Sequence, residues 1–355
     1  MTRIDYKEIA FQAKLIVGEE NVLTEQIDLA LYNCDAESID SISPDLVVLP
    51  NDTDQVQAIV KLANQYKVPF TARGAGTGLS GGATTVCGGI SIVLTRMTKI
   101  FNIEPDERQI IVEVGVTNSA VSQAVAKYNL CFAPDPSSQF ASTIGGNIAE
   151  NAGGPHTLKY GTTFDHVLAA KIVLPNGEIV ECSKKPCLGL DWLSLFIGSE
   201  GTLGIITEAT LNLISISESV ETALIYFHDL ETGGQAVSKI VASGIIPCAM
   251  EMIDRLTLNA VEDAFGLGLD RRAQALLIVE VDGSELSVKK EKQQIDNILN
   301  DFNILGYSWA QSSAERMAMW KARKAAFGAF GRIAPHAYVL DGVVPRSQLA
   351  TAIKK

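Results

Sequence analysis

The stretch "RGAGTGLSGG", Arg73 to Gly82, decides how the chain is read. Five of its ten residues are glycine, and apart from Arg73 and Leu79 the others are small. Glycine loses more conformational freedom on folding than any other residue, so a cluster needs a physical reason. One reason is a turn that requires positive φ. The other is close approach of the backbone to a ligand, above all a phosphate, whose oxygens accept hydrogen bonds from successive N–H groups. The preceding "VPFTAR" reads as a strand, so the loop leaves a strand end. It is not a Walker loop, because no Lys-Ser or Lys-Thr follows the last glycines. Nor is it the dinucleotide fingerprint. Its spacing is G-x-G-x-G, and Arg96 and Met97 stand where an acidic ribose partner would fall. The bland alternative is a tight strand connection.

Three further loops are alike in kind. "STIGGNIAENAGG" carries Gly145–Gly146 and Gly153–Gly154, "KYG" sets Tyr160 beside Gly161, and "GSEGTLGII" runs from Gly198 to Ile206. Four such loops can cradle a large, elongated anion through backbone N–H groups, and a diphosphate suits that chemistry. Charge points the same way. The chain has 355 residues and a net charge of −12, so it has few lysines to spend on phosphate. An acidic chain without a basic block is a poor nucleic-acid binder. "MTRIDYKEIAFQAK" is charged throughout and has no apolar stretch of a signal peptide. No run approaches the roughly 18 apolar residues of a membrane span. Cys34, Cys87, Cys131, Cys182, Cys187 and Cys248 are scattered, without zinc spacing, and read as reduced, mostly buried thiols of a cytoplasmic protein.

Hydrophobic period organises the rest. Residues 4–17 read as a helix, 45–50 as a short buried strand, and "NDTDQVQAIVKLANQYKVPF", 51–70, as holding a helix capped by Asp52 or Thr53. Val56, Ile59, Val60 and Ala63 form the buried face of that helix. Strands follow near 89–94, 100–103 and 109–114, then a helix over 117–128 with Asn118 or Ser119 near its cap. A hairpin spans 167–182 around Pro175-Asn176-Gly177, and a β-rich run starts at Ile205. In the second half, strands at 221–227, 247–252, 273–283 and 304–309 alternate with helices at 233–243, 255–265 and 285–299. That order is ferredoxin-like. A helix over 314–327, a strand over 336–342 and the start of a helix at "ATAIKK" complete the reading.

The segments "VLPNDTDQVQAIV", "RGAGTGLSGG", "APDPSSQFASTIGGNIAENAGG", "LKYG" and "GSEGTLGIITEATL" resemble the FAD-linked oxidase family, with the fold of vanillyl-alcohol oxidase and p-cresol methylhydroxylase. "GIIPCAMEMID", "W-K-A-R" and "DGVVPRSQL" extend the resemblance into the second half, toward the members that oxidise 2-hydroxy acids. The resemblance implies an α+β chain: an N-terminal helical segment (1–41), a two-part FAD-binding domain (42–217), and a ferredoxin-like substrate or cap domain (218–355), incomplete at its C-terminus. It implies FAD-dependent oxidation of a small 2-hydroxy acid by hydride transfer to flavin. Glycolate to glyoxylate comes first, with D-lactate or D-2-hydroxyglutarate as alternatives, and electrons pass to a partner or quinone.

For FAD it implies Arg73, Gly74, Ala75, Gly76, Thr77, Gly78, Leu79, Ser80 and Gly81 around the pyrophosphate, together with the "GGN" segment. Pro134, Asp135, Ser138, Thr143, Gly145, Gly146 and Asn147 line the flavin side. Gly153, Tyr160 and Gly161 continue that wall, and Glu200, Gly201 and Ile206 hold the adenosine half. Thr77 stands where some members carry a histidine bonded to FAD, so noncovalent FAD is expected. Arg323 matches the substrate-carboxylate arginine, and Arg346 is a weaker second candidate. The bland reading of Arg323 is a solvated basic face shared with Lys321 and Lys324. Complete members go on to a histidine-rich segment and a Glu-His pair that hold a divalent metal and supply the base. Residues 1–355 contain neither, so the base is expected beyond residue 355, and a FAD-binding but catalytically incomplete chain is a further alternative. Among the histidines, His156 borders the flavin loop, His166 and His228 read as structural, and His336 begins the last strand. Expected partners are flavin-type and iron–sulfur subunits. The expected location is cytoplasmic, peripheral to the inner membrane through those partners.

Overall fold

The computed structural model describes residues 4–37, 41–184, 189–334, 339–345 and 348–354. They form two compact units, one of residues 1–154 and 161–216, the other of residues 155–160 and 217–355.

The first unit holds two larger sheets and a two-stranded one (Leu130–Cys131 with Ile214–Ser215) around a main core, with a small second cluster at Leu29, Val47 and Val93. Helix α1 (Tyr6–Val17) is capped by Asp5 and buries Ile9, Ala10, Ala13 and Val17. Strand β1 (Val22–Leu23) adds antiparallel to β2 (Leu46–Val48). Helix α2 (Thr53–Tyr66) begins at Asp52, whose carboxylate accepts from Gln55 N–H. Its expected face is the observed one, since Val56, Ile59, Val60 and Ala63 are fully buried. Each large aliphatic side chain buried there stabilises the fold by about 1.5–3 kcal/mol. Strand β3 (Phe70–Arg73) runs parallel to β4 (Ile90–Val93), which runs parallel to β2. The glycine loop therefore connects two neighbouring parallel strands and starts at a carboxyl end, where open α/β sheets commonly take ligands.

The second sheet is antiparallel. It contains β5 (Ile100–Glu104), β6 (Gln109–Glu113), β7 (Val167–Val173), β8 (Ile179–Ser183) and β9 (Ile205–Asn212), in the order β5-β6-β9-β7-β8. The β7–β8 hairpin turns as expected, with Gly177 at φ +81. Helix α3 (Asn118–Val125) is a correction at its start. Thr117 is the cap residue and makes no side-chain cap bond, while Asn118 instead donates from Nδ2 to Pro134 O at 2.9 Å. Helix α4 (Ile144–Ala149) opens on Thr143.

The second unit is a four-stranded antiparallel sheet of β10 (Ser219–Phe227), β11 (Ala249–Asp254), β12 (Ala275–Gly283) and β13 (Ile304–Trp309). Numbered within the unit, the order is 2-3-1-4, the ferredoxin-like arrangement read from either edge. Helices α5 (Leu230–Ala242), α6 (Arg255–Phe265), α7 (Glu285–Leu299), α8 (Ser313–Lys324) and α9 (Ala326–Phe330) accompany it. β12 is buried on both faces, which explains its nearly continuous apolar run. Leu277, Val279 and Val281 join one core, and Leu276 and Ile278 join the other. Two expectations are corrected here. The helix expected over 314–327 is two helices, α8 and α9. Val339 to Asp341 are irregular where a strand was expected, the first part of that strand, with His336, lying outside the described residues. Helix α10 (Leu349–Lys354) ends the described chain.

The thiols are less buried than expected. Of the described cysteines only Cys248 is buried, and Cys87 is exposed; Cys187 lies outside the described residues. No helix among the described residues is long and apolar enough to cross a membrane.

Candidate functional site

The glycine loop is held from beneath. Arg73 is 7% exposed, donates to Ala83 O at 3.4 Å, and lies under Tyr32 at 5.6 Å from the ring centre. Burial pulls its pKa down, while Asp35, Cys34 and Tyr32 oppose that. A side chain at Gly76, where φ is +68, would collide with the Arg73 guanidinium. Arg73 thus supports the loop from its inner side.

Above that support the backbone is unpaired. No N–H from Ala75 to Gly82 donates to a protein acceptor among the described residues. Buried amides are almost always satisfied, so a consecutive run of open ones, half-exposed, suits an anion that accepts from several. The loop also meets the second expected segment. A Cβ on Gly74 would stand 2.5 Å from Thr143 Oγ1, and one on Gly145 would stand 2.8 Å from Val114 Cβ. The amides of Ile144, Gly145 and Asn147 are spent inside the fold, on Val116 O, Val114 O and Thr143 O. What this segment offers instead is side chains. Asn147 Nδ2 and Ser142 Oγ are buried without a partner among the described residues.

The Glu200–Gly201 turn has φ +53 and +72, and Glu200 N–H donates to Ala149 O at 2.8 Å. That docks it on the end of α4. Pro134 is tied through Asn118, Asp135 crowds Gly154, and Ser138 O caps the turn to Ser142. Ile206 is buried in β9 opposite Ile172. Gly153 is half-buried beside them, and Gly161 has φ +82. Tyr160 belongs to the second unit, where its hydroxyl donates to Asp282 Oδ2 at 2.5 Å.

Sequence reading missed the acids around the loop. A Cβ on Gly82 would stand 3.1 Å from Glu150 Oε1 and 3.7 Å from Glu200 Oε2, and one on Gly78 would stand 3.7 Å from Asp35 Oδ2. Desolvation raises the Glu150 carboxyl, and Glu200 and Asp35 add like-charge repulsion. Burial raises Asp35 too. Their distance in sequence hid this grouping.

In the second unit Arg323 lies on α8 and donates from Nε to Glu251 Oε2 on β11 at 2.5 Å. Lys321 and Lys324, by contrast, are exposed. The ion pair sets Arg323 apart from its basic neighbours, and no acceptor for its two terminal nitrogens is present among the described residues. Arg346 lies outside the described residues. His156 meets Glu280 at 3.0 Å, His166 is buried edge-on to Phe132, and His228 is exposed at the end of β10.

A strand-end loop of open amides and an orphaned buried side-chain amide lie in the first unit, and the second unit is ferredoxin-like. Comparisons with known proteins give the family. Residues 44–183 match the FAD binding domain, and residues 216–355 match the C-terminal domain of FAD linked oxidases. The chain is 42% identical over 336 residues to the glycolate oxidase subunit GlcD of Escherichia coli K12, covering 94% of this chain and 67% of that protein. It is 33% identical over 355 residues to a D-lactate dehydrogenase of Anaerostipes hadrus, covering 97% and 73%. Among solved structures, p-cresol methylhydroxylase with bound substrate superposes with a TM-score of 0.77 at 17% identity, covering 92% and 71%. The chain belongs to the FAD-linked oxidases, and FAD is its cofactor. It spans about two thirds to three quarters of the length of these relatives. The residues present suit that cofactor. Open loop amides match a diphosphate, and the orphaned Asn147 Nδ2 matches a carbonyl or hydroxyl acceptor.

Proposed function

We propose that the protein oxidises a small 2-hydroxy acid, glycolate before D-lactate or D-2-hydroxyglutarate, with FAD held noncovalently. The observation that carries the reading is the run of open N–H groups from Ala75 to Gly82 beside buried, unpartnered Asn147. Thr77 offers only a hydroxyl, which suits a noncovalent cofactor. The names of the relatives support the substrate class. When bound, FAD supplies the acceptor for the hydride leaving the substrate's α-carbon.

The chain's own residues do the rest. The amides take the diphosphate, and Asn147 orients the flavin side. Arg323 receives the substrate carboxylate on its terminal nitrogens, because Glu251 already holds Nε. Glu251 removes side-chain freedom from the guanidinium and keeps its fork turned one way. Arg346 is the second, weaker candidate for the same role, on its sequence alone. The substrate hydroxyl also needs a base. His156 and His166 are engaged within the fold, so neither is assigned that role. Electron-accepting partner subunits and a cytoplasmic location are part of this proposal; that the E. coli relative is named as a subunit supports assembly with other chains.

The test is an anaerobic titration of the flavin-loaded chain with glycolate and with D-lactate, followed in the visible spectrum. Bleaching or a shift of the flavin bands is expected, with at least about tenfold weaker response for Arg323→Ala, the loss of a charge-assisted bidentate contact. A purified chain without flavin absorbance contradicts the cofactor site. Flavin bands that no 2-hydroxy acid perturbs contradict the substrate reading. An unchanged response in Arg323→Ala removes Arg323 from the site.

A further inference from the structure

The second unit contains a cluster that the proposed reaction does not use. His156, Cys248 and Glu280 come from three distant stretches of chain, and their ligand atoms all lie within 4.8 Å of one another. His156 Nε2 is 3.0 Å from Glu280 Oε1, and Cys248 Sγ is 3.8 Å from the same oxygen. Cys248 is 1% exposed and Glu280 is 4% exposed, whereas the His156 side chain keeps 26% of its surface to solvent.

Sheet register builds the cluster. Ala249 pairs with Glu280 across β11 and β12, which sets Cys248 beside that carboxylate. Glu280 points to the same face of β12 as Ile278, the face that α8 covers. There its second oxygen, Oε2, accepts from Trp320 Nε1 at 2.6 Å and from Thr222 Oγ1. Those two donors fix the carboxylate and leave Oε1 turned toward the imidazole and the thiol. The His156 ring also rests 5.8 Å from the Trp320 ring.

One nitrogen, one sulfur and one carboxylate oxygen form a donor set of intermediate softness, the kind that zinc takes. Bonds of about 2.0–2.3 Å at tetrahedral angles place ligand atoms about 3.3–3.7 Å apart. The observed 3.0 and 3.8 Å to Glu280 Oε1 bracket that range and the third pair lies within 4.8 Å, so an ion draws the imidazole and the thiol together by about an ångström at most. A carboxylate that ligates through one oxygen while the other is hydrogen-bonded is the usual outer-shell arrangement.

We propose that His156, Cys248 and Glu280 bind one divalent cation of the zinc class, with water as fourth ligand. It is a structural site that fastens residues 155–160 to the sheet of the second unit. On binding, the Cys248 S–H bond breaks and its proton leaves to solvent, the proton shared by His156 Nε2 and Glu280 Oε1 leaves that hydrogen bond for Nδ1 or for solvent, and metal bonds form to Sγ, Nε2 and Oε1; no electron is transferred. The site is separate from the Arg323–Glu251 pair and independent of the reaction proposed above.

The flavin-loaded chain, stripped with a chelator, is titrated with Zn²⁺ by calorimetry, and the loaded protein is measured by zinc-edge X-ray absorption. One equivalent with one sulfur in the shell is expected. Cys248→Ser, which conserves size, is expected to lose the sulfur and at least about tenfold in affinity, with its far-UV dichroism unchanged. Thr222→Val is expected to keep the sulfur and weaken binding about tenfold, the usual effect of losing an outer-shell partner. A sulfur-free shell in the unaltered chain, no binding, or equal affinity and an equal sulfur signal in Cys248→Ser overturns the proposal.

Discussion

At the scale of single residues the loop depends on what is missing. Gly76 takes φ +68, and any Cβ there would strike the Arg73 guanidinium. A β-branched residue at such a φ is strained as well. Gly76→Val is therefore expected to push Arg73 from its seat and empty the flavin site, read as the ratio of flavin to protein absorbance after purification. Full occupancy contradicts the loop assignment. Glu150 makes the opposite contribution. Its carboxyl is raised in the fold, first by desolvation and then by Glu200 and Asp35. The folded state thus holds the proton more tightly than the unfolded chain does, whose value is about 4.3. Stability then falls as pH rises from there through the raised folded value. In flavin-free protein Glu150→Gln is expected to melt higher than the unaltered chain at pH 7, with the difference shrinking to nothing near pH 4. Parallel melting curves across that range mean that the acids do not interact as described.

At the scale of elements, β12 shows where sequence reading succeeds and where it stops. Its apolar run predicted a buried strand over 273–283, and the strand spans Ala275–Gly283. The same run contains Glu280 and Asp282, two acids in a strand buried on both faces, and that anomaly was visible in the sequence. Their partners were not. Asp282 accepts from Lys159, Tyr160 and Ser217, the first two more than 120 positions away, and no local period encodes such pairs. Helices α6 and α7 were legible to the residue because amphipathic period and caps are local, with Asp254 and Ser284 as caps. The start of α3 was misread because Asn118 turns its side chain to Pro134 rather than to its own helix. The glycines of the candidate site were legible for a like reason, since backbone freedom is written in residue type. Asp35, Glu150 and Glu251 were not, because each becomes significant only through a neighbour brought by the fold. Asp282→Asn tests the element directly. It is expected to cost about 1–2 kcal/mol, since the half-buried Lys159 ammonium loses its counter-charge while Ser217 and Tyr160 keep an acceptor. Chemical denaturation at pH 7 measures it, and a change below about 0.5 kcal/mol means that the network adds little beyond its individual hydrogen bonds.

At the scale of the whole molecule, two units with separate cores are two cooperative systems. The core of the first runs from Ile9 to Leu213, and the cores of the second draw only on residues from Ala223 onward. A ligand stabilises only the unit whose folded form binds it. The amides and the Asn147 side chain proposed for FAD all lie in the first unit, whereas the Asp282 network and the proposed zinc ligands lie in the second. Calorimetry is thus expected to resolve two transitions that answer to different changes. At a flavin concentration about 100-fold above its dissociation constant, the first unit gains about 2.7 kcal/mol. Each kcal/mol moves the midpoint of a unit of this size by about 2–4 °C, so removing flavin should lower one transition by about 5–10 °C and leave the other in place. Asp282→Asn should do the reverse, lowering the transition that flavin does not touch. If flavin removal moved both transitions together, the cofactor would have to draw on residues of the second unit as well. Tyr160, expected from the sequence beside the flavin but hydrogen-bonded to Asp282, is the first of those to substitute with Phe.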